Sequence, residues 1–138
     1  IQRGDGRFFA DLCFSVADGN DFIMKSNGAA VRNFTYMRDC LSAIMAIIMR
    51  GEPAGIYNIA SPSGCKIKDL AINVTSKYGL KVVNNESDKR GNVPRFEVCD
   101  SGVTVDKLMD LGWKRDFCNE EAFYRTISYI RACKVLET

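Results

Sequence analysis

Residues 26–39, with the sequence SNGAAVRNFTYMRD, contain the pattern that decides the fold. The Asn-Gly dipeptide at positions 27 and 28 is typical of a turn, and the residues from Arg32 to Tyr36 favour extended backbone. Asp39 is a natural N-cap, because its carboxylate can accept hydrogen bonds from backbone N–H groups. The stretch therefore predicts a turn, a short extended segment and the start of a helix that ends at Arg50.

Helical periods recur on both sides of this stretch. Apolar residues return every three or four positions in residues 6–18, 39–50, 67–78, 104–111 and 119–134, which predicts five helices. In the second of these helices we expect the core face to consist of Leu41, Ile44, Met45 and Ile48. Trp113 is expected to pack against the last helix, since a large aromatic residue at a turn is usually a core anchor.

Short apolar runs between the helices predict strands at residues 21–26, 55–60, 80–83 and 95–99, and residues 84–94 form a polar, turn-rich loop. We expect Asn58 to tie the end of one strand to a neighbouring loop through its amide. The order of elements is not a regular run of βαβ units. It predicts a mixed α/β (α+β) fold over residues 1–138, with a small sheet and several helices in a single domain.

The composition is that of a globular protein, with 46% hydrophobic and 26% charged residues. A net charge of +2 is too small to indicate a nucleic-acid or membrane partner. The longest apolar run, residues 41–49, is too short to span a bilayer, and no signal peptide is visible. We therefore expect a cytoplasmic protein. The first residue is Ile1 and not Met, which leads us to expect a further segment upstream.

The sequence holds no catalytic constellation of its own. Six cysteines without a C-x-x-C pair, and no histidine, predict no metal site. Neither G-x-G-x-x-G nor G-x-x-G-x-x-G occurs, so no cofactor-binding residue is predicted. None of the five tyrosines is followed four positions later by lysine, so the pair that moves a proton in short-chain dehydrogenases is absent.

Five segments, in this order, resemble the C-terminal half of the NAD-dependent epimerase/dehydratase family, the extended short-chain dehydrogenase/reductases that act on nucleotide sugars. The segment most specific to the family is RNFTYMRD at 32–39, which follows SNG at 26–28 and is similar to the family's G-x-x-x-R-x-F-x-Y-V-x-D pattern. The others are DGRFFADL at 5–12, GIYNI at 55–59, KLMDLGW at 107–113 and NEEAFYRTISYIR at 119–131.

This resemblance implies a substrate-binding lobe whose Rossmann domain is missing from the chain. The parent enzyme would be a nucleotide-sugar epimerase, dehydratase or decarboxylase. NAD or NADP would be bound by the upstream domain, which also holds the catalytic tyrosine and lysine. The partners implied are a UDP- or dTDP-sugar and that upstream Rossmann domain. This chain alone is expected to be inactive and to bind no cofactor.

The resemblance also implies which residues hold the substrate. Arg32 corresponds to the family's diphosphate-binding arginine, and a guanidinium suits phosphate because its planar fork donates paired hydrogen bonds. Arg90 and Arg95 compete for a second phosphate contact. Arg7 lies near the start of the nucleotide-contacting helix, and Phe22 begins the strand that lines the base pocket.

Each of these assignments has an alternative that the sequence leaves open. Arg32 could be a solvated residue at the start of a strand, the loop around Arg90 and Arg95 could be plain surface, and Arg7 could be structural. Phe22 could simply be core, as apolar strand residues usually are. The chain as a whole could be a stand-alone, non-catalytic module that binds a nucleotide sugar or another protein.

Overall fold

The helices predicted from apolar periodicity are present in the computed structural model, which describes residues 1–62, 64–84 and 103–136. In chain order the elements are α1 (Phe8–Ala17), β1 (Phe22–Met24), β2 (Val31–Arg32), α2 (Met37–Arg50), β3 (Cys65–Lys66), α3 (Ile67–Ser76), β4 (Val82–Asn84), α4 (Asp106–Asp110) and α5 (Asn119–Leu136). The mixed α/β prediction is confirmed. The predicted strand at 95–99 and most of the predicted loop at 84–94 lie outside the described residues.

The main core lies between α1, α3 and α5. Leu12 and Val16 of α1 are buried against Leu70 of α3 and against Phe123 and Ile127 of α5. These are the faces that the three- and four-residue spacing predicted. At about 1.5–3 kcal/mol for each fully buried large apolar side chain, this cluster is the principal stabilising feature of the described fold.

The β-structure consists of two pairs of short strands. β1 pairs in parallel with β4, and β2 pairs antiparallel with β3. The Asn27-Gly28 turn therefore does not join β1 and β2 as a hairpin. Gly28 has a φ of +68° and lies so close to α3 that a Cβ would be 2.6 Å from Met24 Sδ and 2.8 Å from Lys68 Cβ. Glycine is required there by backbone conformation and by space.

Helix α2 begins two residues before the predicted cap. Tyr36 is the N-cap residue, and its side chain makes no capping hydrogen bond. Asp39 lies inside the first turn and is only 1% exposed. Its Oδ1 accepts a hydrogen bond from the backbone N–H of Asp116 at 3.1 Å. The predicted capping role of Asp39 is wrong, because the carboxylate is turned inward and satisfies a distant segment instead.

The predicted core face of α2 is also wrong. Leu41, Ile44, Met45 and Ile48 are between 40% and 72% exposed. The buried apolar residues are Ala43 and Ala46, which form a second cluster with Leu108 and Trp113. Trp113 therefore packs against α2 and α4 and not against α5 as expected, and its Nε1 donates to Ser42 Oγ at 2.9 Å. We call the exposed residues Met37, Leu41, Ile44, Met45, Ile48 and Met49 the α2 apolar face.

Residues 55–60 are not a strand in the structure, although their sequence predicts one. Ile56 is 82% exposed, so its side chain lacks the packing that a strand position would supply. The amide of Asn58 does tie this segment to a neighbouring loop, because its Nδ2 donates to the carbonyl of Thr104 at 3.0 Å, but the segment that it ties is not a strand. In the described part of the chain, none of the helices combines the length and the apolar character needed to cross a bilayer.

Candidate functional site

A cavity of about 920 Å³ opens between the first residues of the chain, α1, residues 34–37 and α5. Aromatic side chains line it, among them Phe9, Phe14 and Phe34, and Phe9 lies 4.5 Å from Phe123, measured between ring centroids. Cationic side chains lie along the same lining, namely Arg3, Arg7 and Lys134. A lining that combines aromatic and cationic side chains suits a ligand that has both a ring and an anionic group.

Arg7 is the N-cap residue of α1 and contributes to this cavity. Its guanidinium forms an ion pair with Asp5, with 2.7 Å between Nη2 and Oδ2, and its side chain is 81% exposed. The hydrogen bonds from Arg7 lower the pKa of Asp5 below its usual value. A phosphate at this helix terminus would gain from the helix dipole but would compete with Asp5 for the guanidinium.

Asp18 accepts hydrogen bonds from two cations of the cavity lining. Arg3 donates from both terminal nitrogens, at 2.5 and 3.0 Å, and Lys134 donates to the same carboxylate. The hydrogen bond from Arg3 is the main cause that lowers the pKa of Asp18 to about 2. Arg3 also stacks over the ring of Phe14. These contacts attach the first residues of the chain to α1 and α5.

Arg32 lies outside this cavity, on β2. Its side chain is exposed, and Nη1 donates to the carbonyl of Val31 at 2.8 Å. Among residues 1–62, 64–84 and 103–136, no carboxylate forms an ion pair with it. The structure therefore does not bring Arg32 and Arg7 together in one cavity. Arg90 and Arg95 lie outside the described residues, and their predicted phosphate contacts stay predictions.

The Phe22 side chain points into the protein. It is buried in the main core and meets the ring of Phe8 edge-on, with 5.8 Å between centroids. The outward residue of β1 is Ile23, which is 57% exposed and pairs with Val83 of β4. Any contact of the Phe22 side chain with a base would require it to leave the core. Ile23 is the β1 side chain that a ligand can reach. Because side chains alternate between the two faces of a strand, the sequence could have indicated that Ile23 points outward if Phe22 and Met24 point inward.

A buried polar cluster connects α2, the loop before β3 and the start of α5. Arg115 Nη1 donates to Ser61 Oγ at 2.9 Å, and Nη2 donates to Asn119 Oδ1 at 2.6 Å. Its Nε lies 3.9 Å from Asp39 Oδ2. We call Asp39, Ser61, Arg115 and Asn119 the Arg115 cluster. Sequence reasoning did not find it, because its members are up to 80 positions apart and share no motif.

The junction between β3 and α3 does not have the form of a dinucleotide-binding turn. β3 runs directly into α3 without a glycine-rich turn, and the space beside Gly28 is filled by Met24 and Lys68. A pyrophosphate needs an open glycine turn at a helix N-terminus. No step of a hydride-transfer reaction can be assigned to these residues.

Comparison with known proteins finds nucleotide-sugar dehydratases among the relatives of the chain. The dTDP-D-glucose 4,6-dehydratase of Mus musculus is 28% identical over 115 residues, which cover 76% of this chain and 30% of that protein. A trifunctional UDP-glucose 4,6-dehydratase/UDP-4-keto-6-deoxy-D-glucose 3,5-epimerase/UDP-4-keto-L-rhamnose-reductase of Arabidopsis thaliana is 26% identical over 109 residues, 75% of this chain and 15% of that protein. No profile of a known protein family matches the chain.

Comparison with solved structures identifies the fold. The Bordetella bronchiseptica enzyme WbmF, in complex with NAD+ and UDP, superposes with a TM-score of 0.70 at 21% identity, over 94% of this chain and 37% of that one. The fold is that of part of an extended short-chain dehydrogenase/reductase. The resemblance to the NAD-dependent epimerase/dehydratase family is confirmed, and nucleotide-sugar dehydratases are among the relatives that the chain matches. The chain spans less than a third of the length of these dehydratases.

Proposed function

We propose that the chain is the C-terminal, substrate-binding portion of a nucleotide-sugar epimerase or dehydratase, and that Arg32 binds the diphosphate of a UDP- or dTDP-sugar. The observation that carries this proposal is the exposed guanidinium of Arg32, which has no carboxylate counter-ion among the described residues. Such a guanidinium can form charge-assisted hydrogen bonds to phosphate without first breaking an ion pair. The UDP bound in the WbmF complex supports the choice of ligand.

Arg7 has a secondary role in this proposal. Its position at the N-terminus of α1 favours an anion, but its ion pair with Asp5 must open before it can bind one. Ile23, next to Val83 on the outer side of β1 and β4, would contact the apolar edge of the base. Arg90 or Arg95 would supply a second phosphate contact.

The partner of the chain is proposed to be an upstream Rossmann domain. The α2 apolar face is the surface that such a domain would cover, because it is apolar along the whole helix and has no partner in the described residues. A helix that is apolar on both sides is normally buried on both sides. Residues 55–60 are next to this helix in sequence and have the composition of a strand, so they would complete the edge of that domain's sheet.

The upstream domain would also bind NAD or NADP and carry the proton-transfer residues. When bound, the nicotinamide supplies transient oxidation of a sugar hydroxyl. The residues of this chain would hold and orient the nucleotide, and residues 1–138 alone would not turn over a nucleotide sugar.

Arg32→Ala tests the proposal. We expect it to weaken binding of UDP and dTDP by about 1.5–3 kcal/mol, roughly 10- to 150-fold, the range for a hydrogen bond between charged groups. Isothermal titration calorimetry on residues 1–138 and on the longer parent protein measures this. Arg125→Ala is the matched control, because Arg125 is also exposed but forms an ion pair with Glu121 within α5. Unchanged affinity in Arg32→Ala, or equal loss in both variants, removes Arg32 from the site.

The same titration, together with an absorbance assay for NAD reduction in the longer protein, separates the enzyme from a stand-alone module. A parent protein that binds a nucleotide sugar and reduces NAD transiently supports the enzyme. A protein that binds UDP in residues 1–138 and has no redox activity in any longer form would instead be a binding module.

A further inference from the structure

Arg115 lies at the centre of the polar contacts that hold the strand bearing Arg32. Its side chain is 16% exposed, and it contacts Ser61 and Asn119 from the two ends of its guanidinium fork. Asn119 in turn donates from Nδ2 to Cys65 Sγ at 3.1 Å. Cys65 is the β3 residue that pairs with Arg32.

From Arg115 the contacts run in two directions, through Asn119 to Cys65 and through Ser61. Both end on β2 or on the residue that follows it. On one branch, Cys65 Sγ lies 3.7 Å from the carbonyl of Arg32, to which it donates. On the other, Asn33 Nδ2 donates to the carbonyl of Ser61 at 3.2 Å. A two-residue strand pair such as β2–β3 has few ladder hydrogen bonds of its own and is marginal in isolation. The position of the Arg32 backbone therefore depends on these side-chain contacts.

The planar fork of arginine is needed for this arrangement. It donates in two fixed directions at once, whereas lysine offers a single mobile charge that cannot reproduce the geometry. Asp39 lies against the same guanidinium, with its Oδ1 committed to the backbone of Asp116. Within the part of the chain that the structure describes, Asp39 Oδ2 and Arg115 Nε make no hydrogen bond, and their charges face each other at 3.9 Å.

We propose that Arg115 is a positioning residue for phosphate recognition: through Ser61, Asn119 and Cys65 it sets the placement of β2 from which Arg32 reaches the nucleotide diphosphate. This inference rests on the proposed function of Arg32. It adds to the site a residue that is 83 positions from Arg32 in the sequence and that acts without touching the ligand.

A double-mutant cycle on UDP affinity tests the coupling. In the chain with Arg32 intact, Arg115→Met and Arg115→Lys should each raise the Kd for UDP by about tenfold, within the range of coupling between residues of one hydrogen-bond network. In an Arg32→Ala background the same changes should alter the Kd by less than about twofold. Arg125→Met is the matched control and should leave the Kd unchanged in both backgrounds. An equal effect of the Arg115 changes in both backgrounds would show a general loss of fold and overturn the proposal.

Amide hydrogen exchange tests the placement of β2 without any ligand. Ile67 donates its N–H to Ala30 and Lys68 donates to Gly28, so both amides report on the segment around β2. In Arg115→Lys, which keeps the charge beside Asp39, their exchange should accelerate at least about tenfold, while the Phe22 amide, bonded to Lys81, should change little. Uniform acceleration, or none, overturns the positioning role. Absence of UDP binding in the unaltered chain would overturn the proposed function of Arg32, and the exchange result would still decide whether Arg115 places β2.

Discussion

Asp18 joins three parts of the molecule at a single carboxylate. Arg3 comes from the first residues of the chain, Lys134 comes from the end of α5, and Asp18 itself is the C-cap of α1. Because the folded pKa of Asp18 is lowered to about 2, the carboxylate stabilises the fold above its unfolded pKa of about 3.9. That contribution is lost as the pH falls through about 2.

Asp18→Asn should therefore lower the thermal unfolding midpoint at pH 7. A shift of about 2–4 °C is expected, since these ion pairs are largely solvent-exposed and worth little each. The difference from the unaltered chain should shrink as the pH is lowered from about 4 towards 2. Differential scanning calorimetry at a series of pH values measures both effects. A difference that persists unchanged at low pH would mean that packing, and not charge, holds the first residues.

Single residues also mark the limit of what the sequence can predict about the site. Arg32 is predicted as a site residue because it belongs to a local motif, and the structure shows that it is exposed. The motif predicts Phe22 as a residue of the base pocket, but the outward residue of that strand is Ile23. The motif gives the position of the strand and does not say which of its side chains face the core. Arg115 could not be found, since its contacts join segments that are distant in sequence.

At the scale of elements, periodicity predicted the inward faces of α1, α3 and α5 correctly. In each of these helices the buried apolar residues recur every three or four positions, so the predicted and observed core faces agree. In α2 apolar residues occupy both sides, and the small residues Ala43 and Ala46 are the buried ones. A prediction from periodicity favours the more hydrophobic face of a helix and therefore selects the larger side chains. The packing of α2 against Leu108 and Trp113 instead requires small side chains.

A matched pair of substitutions distinguishes the buried face of α5 from the α2 apolar face. Ile127→Ala in α5 should reduce the free energy of unfolding by about 2–5 kcal/mol, because it leaves a cavity in the main core. Ile48→Ala in α2 should change it by less than about 0.5 kcal/mol, as for an exposed residue. Urea unfolding followed by circular dichroism compares them. A large loss in Ile48→Ala of the chain alone would mean that the α2 apolar face is covered within residues 1–138.

The predicted strand at 55–60 shows a second limit at this scale. Its residues have the apolar, β-branched composition of a strand, but strand formation depends on pairing and packing as much as on composition. The sequence of a segment does not say whether its neighbour lies in the same chain. In the described residues nothing pairs with it as a strand.

At the scale of the whole molecule, the exposed α2 apolar face predicts association of the chain when it is alone. Contiguous apolar surface of this kind favours contact with other molecules. We expect concentration-dependent self-association in sedimentation velocity, and we expect the double substitution Leu41→Lys with Ile48→Lys to reduce it. The same pair of changes should destabilise a longer protein in which an upstream domain covers α2.

Lys66→Glu, an exposed change away from α2, is a suitable control for this prediction. A monodisperse monomer with high thermal stability in the unaltered chain would argue against an uncovered face. So would a double substitution that leaves the longer protein as stable as before, since lysines cannot be buried there without cost.

The α2 apolar face also has a chemical consequence, because Met37, Met45 and Met49 are all exposed on it, whereas Met24 is buried. Peroxide converts accessible thioethers to sulfoxides, which are polar. Brief oxidation of the chain alone should modify the three methionines of α2, together with the exposed Met109 of α4, and spare Met24. Each added oxygen would make the surface less able to contact an apolar partner. The α2 methionines should resist peroxide in a longer protein whose upstream domain covers α2.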